Sequence, residues 1–279
     1  MQTANLDDVD LEYEITGSGE PVLFIGPVLA DGFLPLLGHP SLAEHYRLIH
    51  YHRRGWVGST HTPGPVSIEQ HAVDAAALLD HLGITRAHVA GHSSGAAVAA
   101  QLAIEHPDKV HTLTLLELSL LSLPKGQEFL EGAGPVFEIY QAGDHEQAFA
   151  VFMSAASGLD WDTCRKTLEA RAPGVVDQSI KDADTFFAVE LPSLAAWTLG
   201  AAQAAAIEQP TLSVLGTETQ PLWVEVAAFL NTNLPDVHEA RIEGVGHLLH
   251  LQQPDPVAAS IGEFLHAHPM ESEGRSVLA

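Results

Sequence analysis

The chain has 279 residues, 46% hydrophobic and 17% charged, enough for one large α/β domain or two small ones with a sizeable core. Its 36 acidic and 12 basic residues leave a formal charge of −24. That excludes the basic footprint nucleic acid or an anionic membrane requires, so neither is an expected partner. Cys164 is the only cysteine, which excludes an internal disulfide and a cysteine-based zinc site.

The opening "MQTANLDDVDLEYEITG" has no basic stretch followed by an apolar core, so no signal peptide is read there. No apolar run reaches the roughly 18 residues a membrane span needs. The expected location is cytoplasmic. Within that opening, "VDLEYEITGSGEP" alternates apolar and polar residues and closes on a Gly/Pro turn, which predicts an edge strand and a hairpin. Short apolar runs follow, of the kind found in buried parallel strands: residues 21–26, 46–52, 87–91 and 111–118. Between them the stretch 67–83 reads as a helix. It opens with Ser67 three residues before Gln70, a capping-box spacing, and closes on Gly83.

From about 122 to 207 the strand rhythm stops and the chain becomes alanine-rich and helix-like. A buried strand returns at 210–216, then a helix over 222–234, a strand in "HEARIEG" and a terminal helix. Alternating strands and helices predict a doubly wound parallel sheet. The predicted division is a core over 1–121 and 208–268, a helical cap or lid over 122–207, and a flexible tail over 269–279. No internal repeat is present.

Chemistry concentrates at "VAGHSSGAAVAAQL". Gly91-His92-Ser93-Ser94-Gly95 has the Gly-x-Ser-x-Gly spacing of a serine held on a tight strand-to-helix turn. A serine hydroxyl needs a neighbouring base to become a nucleophile. Among seventeen histidines, His247 is singled out by context: it follows a predicted strand, lies on the glycine-containing loop "EGVGH" and precedes a proline-started helix. That is the strand-end edge where sites of open parallel sheets collect. His250, three residues on, is expected to pack or hydrogen-bond. His92, beside the serine, is expected to fill space beneath the turn and touch substrate.

The order strand, Gly-x-Ser-x-Gly, helix, cap, strand, helix, strand, Gly-x-Gly-His resembles the α/β-hydrolase fold over roughly residues 8–268. The resemblance implies a mostly parallel eight-stranded sheet flanked by helices, with an inserted helical cap. "YHRRGWVGST" resembles the loop after the fourth strand in this family, with His52 where Asp is usual, and no chemistry is assigned to it. Ser93 is then the nucleophile and His247 the base. Most members place the acid after the penultimate strand, but three residues past Gly216 the chain has Thr219, with Glu218 adjacent. Other branches, including zearalenone-lactonase-like enzymes, place it after the sixth strand. Glu117, 24 residues beyond Ser93, fits that position. Glu117 is the expected acid and Glu218 the alternative.

The family's oxyanion hole uses two backbone amides, here those of Ser94 and Val28. The usual His-Gly-x of the second loop reads Gly26-Pro27-Val28 in this chain, and Pro27 has no amide hydrogen to give. Phe33, Phe186, Phe187 and Trp197, with His92, are candidates to touch an uncharged hydrophobic substrate. A serine in place of Asp argues against dehalogenase and epoxide-hydrolase chemistry. The reading is a cofactor-free, metal-free serine hydrolase, monomer or homodimer, that cleaves a small hydrophobic ester or lactone. Carbon–carbon bond hydrolysis, hydroxynitrile lysis, perhydrolysis and a slow-turnover small-molecule receptor use the same residues and remain the alternatives.

Overall fold

The computed structural model describes residues 1–62 and 64–270. Eight strands form one sheet: β1 (Gln2–Asn5), β2 (Asp10–Gly17), β3 (Glu20–Ile25), β4 (Tyr46–Tyr51), β5 (Ala87–His92), β6 (Val110–Leu116), β7 (Thr211–Gly216) and β8 (Val237–Ile242). Their order is β1-β2-β4-β3-β5-β6-β7-β8; β1 and β2 are antiparallel to their neighbours and the rest run parallel. This is the predicted α/β-hydrolase fold. The inner strands β5 and β7 are buried along their whole length, because helices cover both faces, and their sequences are mostly apolar, with His88, His92, Thr211 and Ser213 the buried polar residues.

Two apolar layers hold the helices to the sheet. One packs the helices Ile68–His81 and Ser94–Glu105 against one face, through residues such as Leu23, Ile49, Val89 and Leu113. The other packs the terminal helix Pro254–Ala267 and the short helices Leu34–Leu37 and Pro40–Ala43 through Phe24, Leu48 and Ile261. The helix 68–81 begins as expected, with the Ser67 hydroxyl accepting from the Gln70 amide at 3.2 Å. Between β6 and β7 the chain is helical, from Pro124–Gly132 to Ala201–Ala205. It includes a π-helical stretch, Thr185–Glu190. The predicted tail 269–279 falls, beyond residue 270, outside the described residues.

The predicted edge strand and hairpin are corrected: β1 takes the edge outside β2, and the turn that closes β2 does not pair it with β3. β2 pairs with β4, and β4 lies between β2 and β3. The turn at Gly17 and Gly19 steps across the start of β4, so close that a β-carbon on either glycine would strike the backbone carbonyls of Tyr46 or His45. Both glycines have positive φ, +75° and +121°. The turn chemistry was legible, but the pairing was decided by β3, whose two edges are taken by the parallel strands β4 and β5. The opposite edge strand, β8, is exposed over much of its length and carries His238, Glu239 and Arg241.

Candidate active site

Ser93 joins β5 to the helix Ser94–Glu105 with φ 55° and ψ −120°, a strained backbone for a residue with a side chain. The flanking glycines permit it. A β-carbon on Gly91 would run into the Gly95 carbonyl, and one on Gly95 into the carbonyl of Ile25. The turn thus lifts the Ser93 hydroxyl above the ends of the parallel strands.

His247 meets it from the loop after β8. His247 Nε2 lies 3.1 Å from Ser93 Oγ, and Nδ1 lies 2.8 Å from Glu117 Oε2. Glu117 sits just past β6 with φ 43°, a second strained residue at the same sheet edge. Its other oxygen accepts from the Gly216 amide at 2.9 Å, and Oε2 also accepts from the Thr219 hydroxyl at 2.9 Å. The alternative acid is placed elsewhere: Glu218 is exposed, and the residue beside it, Thr219, instead orients Glu117.

Burial sets the protonation of this group. It pulls His247 down to about 3, against an ordinary 6.5. It pushes Glu117 up to about 7, with the Gly216 amide and the Thr219 hydroxyl working against that rise. His247 is therefore a neutral imidazole near pH 7. With Nδ1–H directed at Glu117, its Nε2 lone pair faces the Ser93 hydroxyl.

Other residues complete the arrangement, and composition or spacing gave no sign of most of them. Trp223 stacks flat on His247, ring centroids 3.8 Å apart and planes 3° from parallel. His92 donates from Nε2 to the His247 carbonyl at 2.9 Å, so its contact is with the loop backbone as well as with the cavity. Ser119 Oγ lies 3.0 Å from Ser93 Oγ, while its amide donates to the Ser93 carbonyl at 3.1 Å. His250 packs between His92 and Phe33.

Ser93, Ser94, Ser119, His92 and His247 open on one cavity with Pro27, Val28 and Leu29. Its remaining walls are apolar and come mainly from the helices between β6 and β7: Phe129, Phe152, Met153, Ala156, Phe186, Leu191 and Leu194. None of its lining residues is Asp, Glu, Lys or Arg. Among the described residues, the amides of Val28 and Ser94 have no hydrogen-bond acceptor in the protein.

Of the aromatic candidates, Phe186 lines this cavity and three do not. Phe33 is fully buried in the layer beneath, against Phe24 and His250. Phe187 packs with Tyr140 and Phe137 among the helices. Trp197 is tied down by its indole nitrogen, which donates to Gln101 Oε1 at 2.9 Å. Each is engaged in packing, and Phe129 and Phe152 line the cavity beside Phe186 instead.

A second group of ligand-capable side chains lies at the end of β4. Asp31 Oδ1 is 3.1 Å from His52 Nε2 and 3.4 Å from His50 Nε2, and His52 Nδ1 is 3.0 Å from Glu12 Oε2. Asp31, His50 and His52 have the donor types of a metal site. Here one carboxylate oxygen already serves both rings. Burial works against charge on His52, but its two carboxylate hydrogen bonds outweigh this and raise its pKa above 6.5. The hydrogen bonds from His50 and His52 hold Asp31 well below the usual carboxylate range.

Comparison with known proteins agrees with this architecture. A family profile described as the α/β hydrolase fold matches residues 31–254. A protein of Azorhizobium caulinodans named as a candidate carbamate hydrolase, RutD, is 35% identical over 116 residues, which is 42% of this chain and 44% of that protein. The chain thus covers less than half the length of that curated relative. A thermophilic esterase from Thermogutta terrifontis superposes with a TM-score of 0.78 at 24% identity, over 94% of this chain and 95% of the esterase. The enol-lactonase of Burkholderia xenovorans LB400 gives 0.77 at 20% identity, over 95% and 100%. At these identities the likeness is one of fold.

Proposed function

The chain belongs to the α/β-hydrolase family, and on that premise we propose that it is a serine hydrolase acting on an uncharged carboxylic ester or lactone of a small hydrophobic molecule. The observation that carries this reading is the continuous relay Glu117–His247–Ser93, with gaps of 2.8 and 3.1 Å, opening on an apolar cavity.

Ser93 Oγ attacks the substrate carbonyl as its proton passes to His247 Nε2. Glu117 holds Nδ1–H and balances the imidazolium that forms. The face of Trp223 beside the ring favours that cation as well. The negative oxygen of the tetrahedral intermediate is received by the amides of Val28 and Ser94. As the intermediate collapses, His247 returns the proton to the leaving alkoxide, giving an alcohol and an acyl-Ser93 ester. Water then enters, gives a proton to His247 and attacks the acyl carbon. Ser93 leaves with that proton and the acid is released. In a lactone the alcohol remains tethered to the acyl group.

In this reading the helices between β6 and β7 act as a cap, because their apolar side chains close the cavity above Ser93. A wall without charge favours neutral substrates, since an ionised group would lose its hydration there without a partner.

The test is the intact mass after treatment with a fluorophosphonate. A single adduct on the wild type and none on Ser93→Ala is expected, followed by turnover on a panel of p-nitrophenyl esters and aliphatic lactones. No adduct on either protein would overturn the reading.

A further inference from the structure

A buried ion pair joins the inserted helices to the loop after β3 and to the side chain of Ser94. Arg53, in the loop after β4, and Glu190, at the end of the π-helical stretch, are 2% and 1% exposed, with nitrogen and oxygen 2.8 Å apart. Removing both charges from water is costly, and such a pair contributes little net stability over an apolar pair of the same size. Its remaining bonds reach the loop after β3, the Ser94 hydroxyl and the Trp56 indole. Arg53 Nε donates to the Gly26 carbonyl at 3.0 Å, and Nη2 donates to the Pro27 carbonyl at 3.2 Å. Glu190 Oε1 accepts from the Ser94 hydroxyl at 2.6 Å, and Oε2 from the Trp56 indole at 3.0 Å.

The geometry of the peptide unit gives these contacts their meaning. A trans peptide is planar, with its C=O and N–H pointing in opposite directions. Because Arg53 fixes the Pro27 carbonyl, it also fixes the Val28 N–H, directed away from the guanidinium. Glu190 in turn holds the side chain of Ser94, the residue that carries the second amide. One carboxylate on the inserted helices thereby anchors both sides of the anion-receiving pair, one through Arg53 and one directly.

We propose that Glu190 and Arg53 are positioning residues that hold the Val28 and Ser94 amides at oxyanion spacing, so that this spacing depends on the seating of the inserted helices. This rests on the serine-hydrolase reading above. Neither side chain lines the cavity, so both act through the backbone rather than on the substrate.

The experiment compares wild type, Glu190→Gln and Ser94→Ala on p-nitrophenyl butyrate. Inhibition by a short-chain alkyl trifluoromethyl ketone and by its methyl ketone analogue is measured alongside. Ser93 adds to the fluorinated ketone, its proton passing to His247, and leaves an oxyanion on the former carbonyl oxygen. The methyl ketone binds mainly without adding. Glu190→Gln is expected to lower kcat about 30-fold with KM within about threefold, and to weaken the trifluoromethyl ketone by the same factor as kcat/KM. The methyl ketone should bind as before.

Ser94→Ala creates no buried charge and keeps the amide, so it answers the question even where Glu190→Gln fails to fold; a loss of roughly fivefold in kcat is expected. Folded variants with kcat within twofold of wild type would overturn the inference and leave the serine-hydrolase reading standing. So would a slower variant that retains its trifluoromethyl ketone affinity. A wild type with neither turnover nor fluorophosphonate adduct would overturn both.

Discussion

Two histidine–carboxylate clusters stand at the same end of one sheet, one after β4 and the other after β5, β6 and β8, and their partners differ. In Glu117–His247–Ser93 the imidazole has one carboxylate partner and one hydroxyl, and burial keeps it neutral. In Glu12–His52–Asp31 both ring nitrogens face carboxylates, and the ring is held toward its cationic form. The residue types are almost the same. What differs is the second partner: a hydroxyl leaves a lone pair free to take a proton, whereas a second carboxylate occupies the ring in an ion pair. Proximity of His to Asp or Glu therefore does not tell the two clusters apart; the group on the far side of the ring does.

Removing one carboxylate from each cluster would break this comparison or sharpen it. Glu117→Gln is expected to reduce kcat/KM by about 10³-fold or more, because the amide no longer fixes the tautomer or balances the imidazolium. Glu12→Gln should leave kcat/KM within about threefold and show its effect in the melting temperature. Equal losses of activity in the two variants would erase the distinction. Glu218→Gln should match wild type within about twofold, since its side chain is exposed and Thr219 stands beside Glu117 instead.

Trp223→Leu should cost roughly tenfold in kcat through loss of the stacked face on His247, with KM less affected. An unchanged kcat would assign the indole to packing alone.

The pH profile separates the clusters by sign. A proton added to the Glu117–His247 pair removes the base, so hydrolysis by the wild type should fall as pH drops below about 7, where buried Glu117 takes up a proton. The small residual rate of Glu117→Gln should stay flat to lower pH, because only His247, lowered to about 3, remains to be protonated. An identical acid limb in both proteins would reject the pairing.

The smallest effect belongs to His52. Its pKa is raised on folding, so its stabilisation is fully present below pH 6.5 and is lost as pH rises through the folded value. His52→Asn should lower the melting temperature by about 2–4 °C at pH 6 and by less at pH 9. A penalty that grows with pH would reverse the assignment.

The convergence of Ser93, His247 and Glu117 was legible because each is marked by local context: paired glycines, a post-strand loop, or a fixed spacing from Ser93. Trp223 and Glu190 carried no such mark. Glu190 meets Ser94 across 96 residues, and the contact depends on how irregular helices settle on the sheet, which no periodicity encodes. That Phe187 and Trp197 pack away from the cavity was not legible for the same reason, since an aromatic side chain in a helix reads alike whether it faces a cavity or a neighbouring helix. The β2–β3 pairing failed because a tight turn announces reversal of the chain but not which strand will occupy the gap.

The two rims of the sheet bear on how copies of this chain can meet. β1 is only four residues long, and β8 alternates charged side chains along an exposed flank, with Arg241 Nε bonded to Glu239 at 2.7 Å. Short or charged edges resist the strand-to-strand annealing that begins fibrillar aggregation. Continuation of the sheet from one molecule into the next is thus disfavoured at both ends.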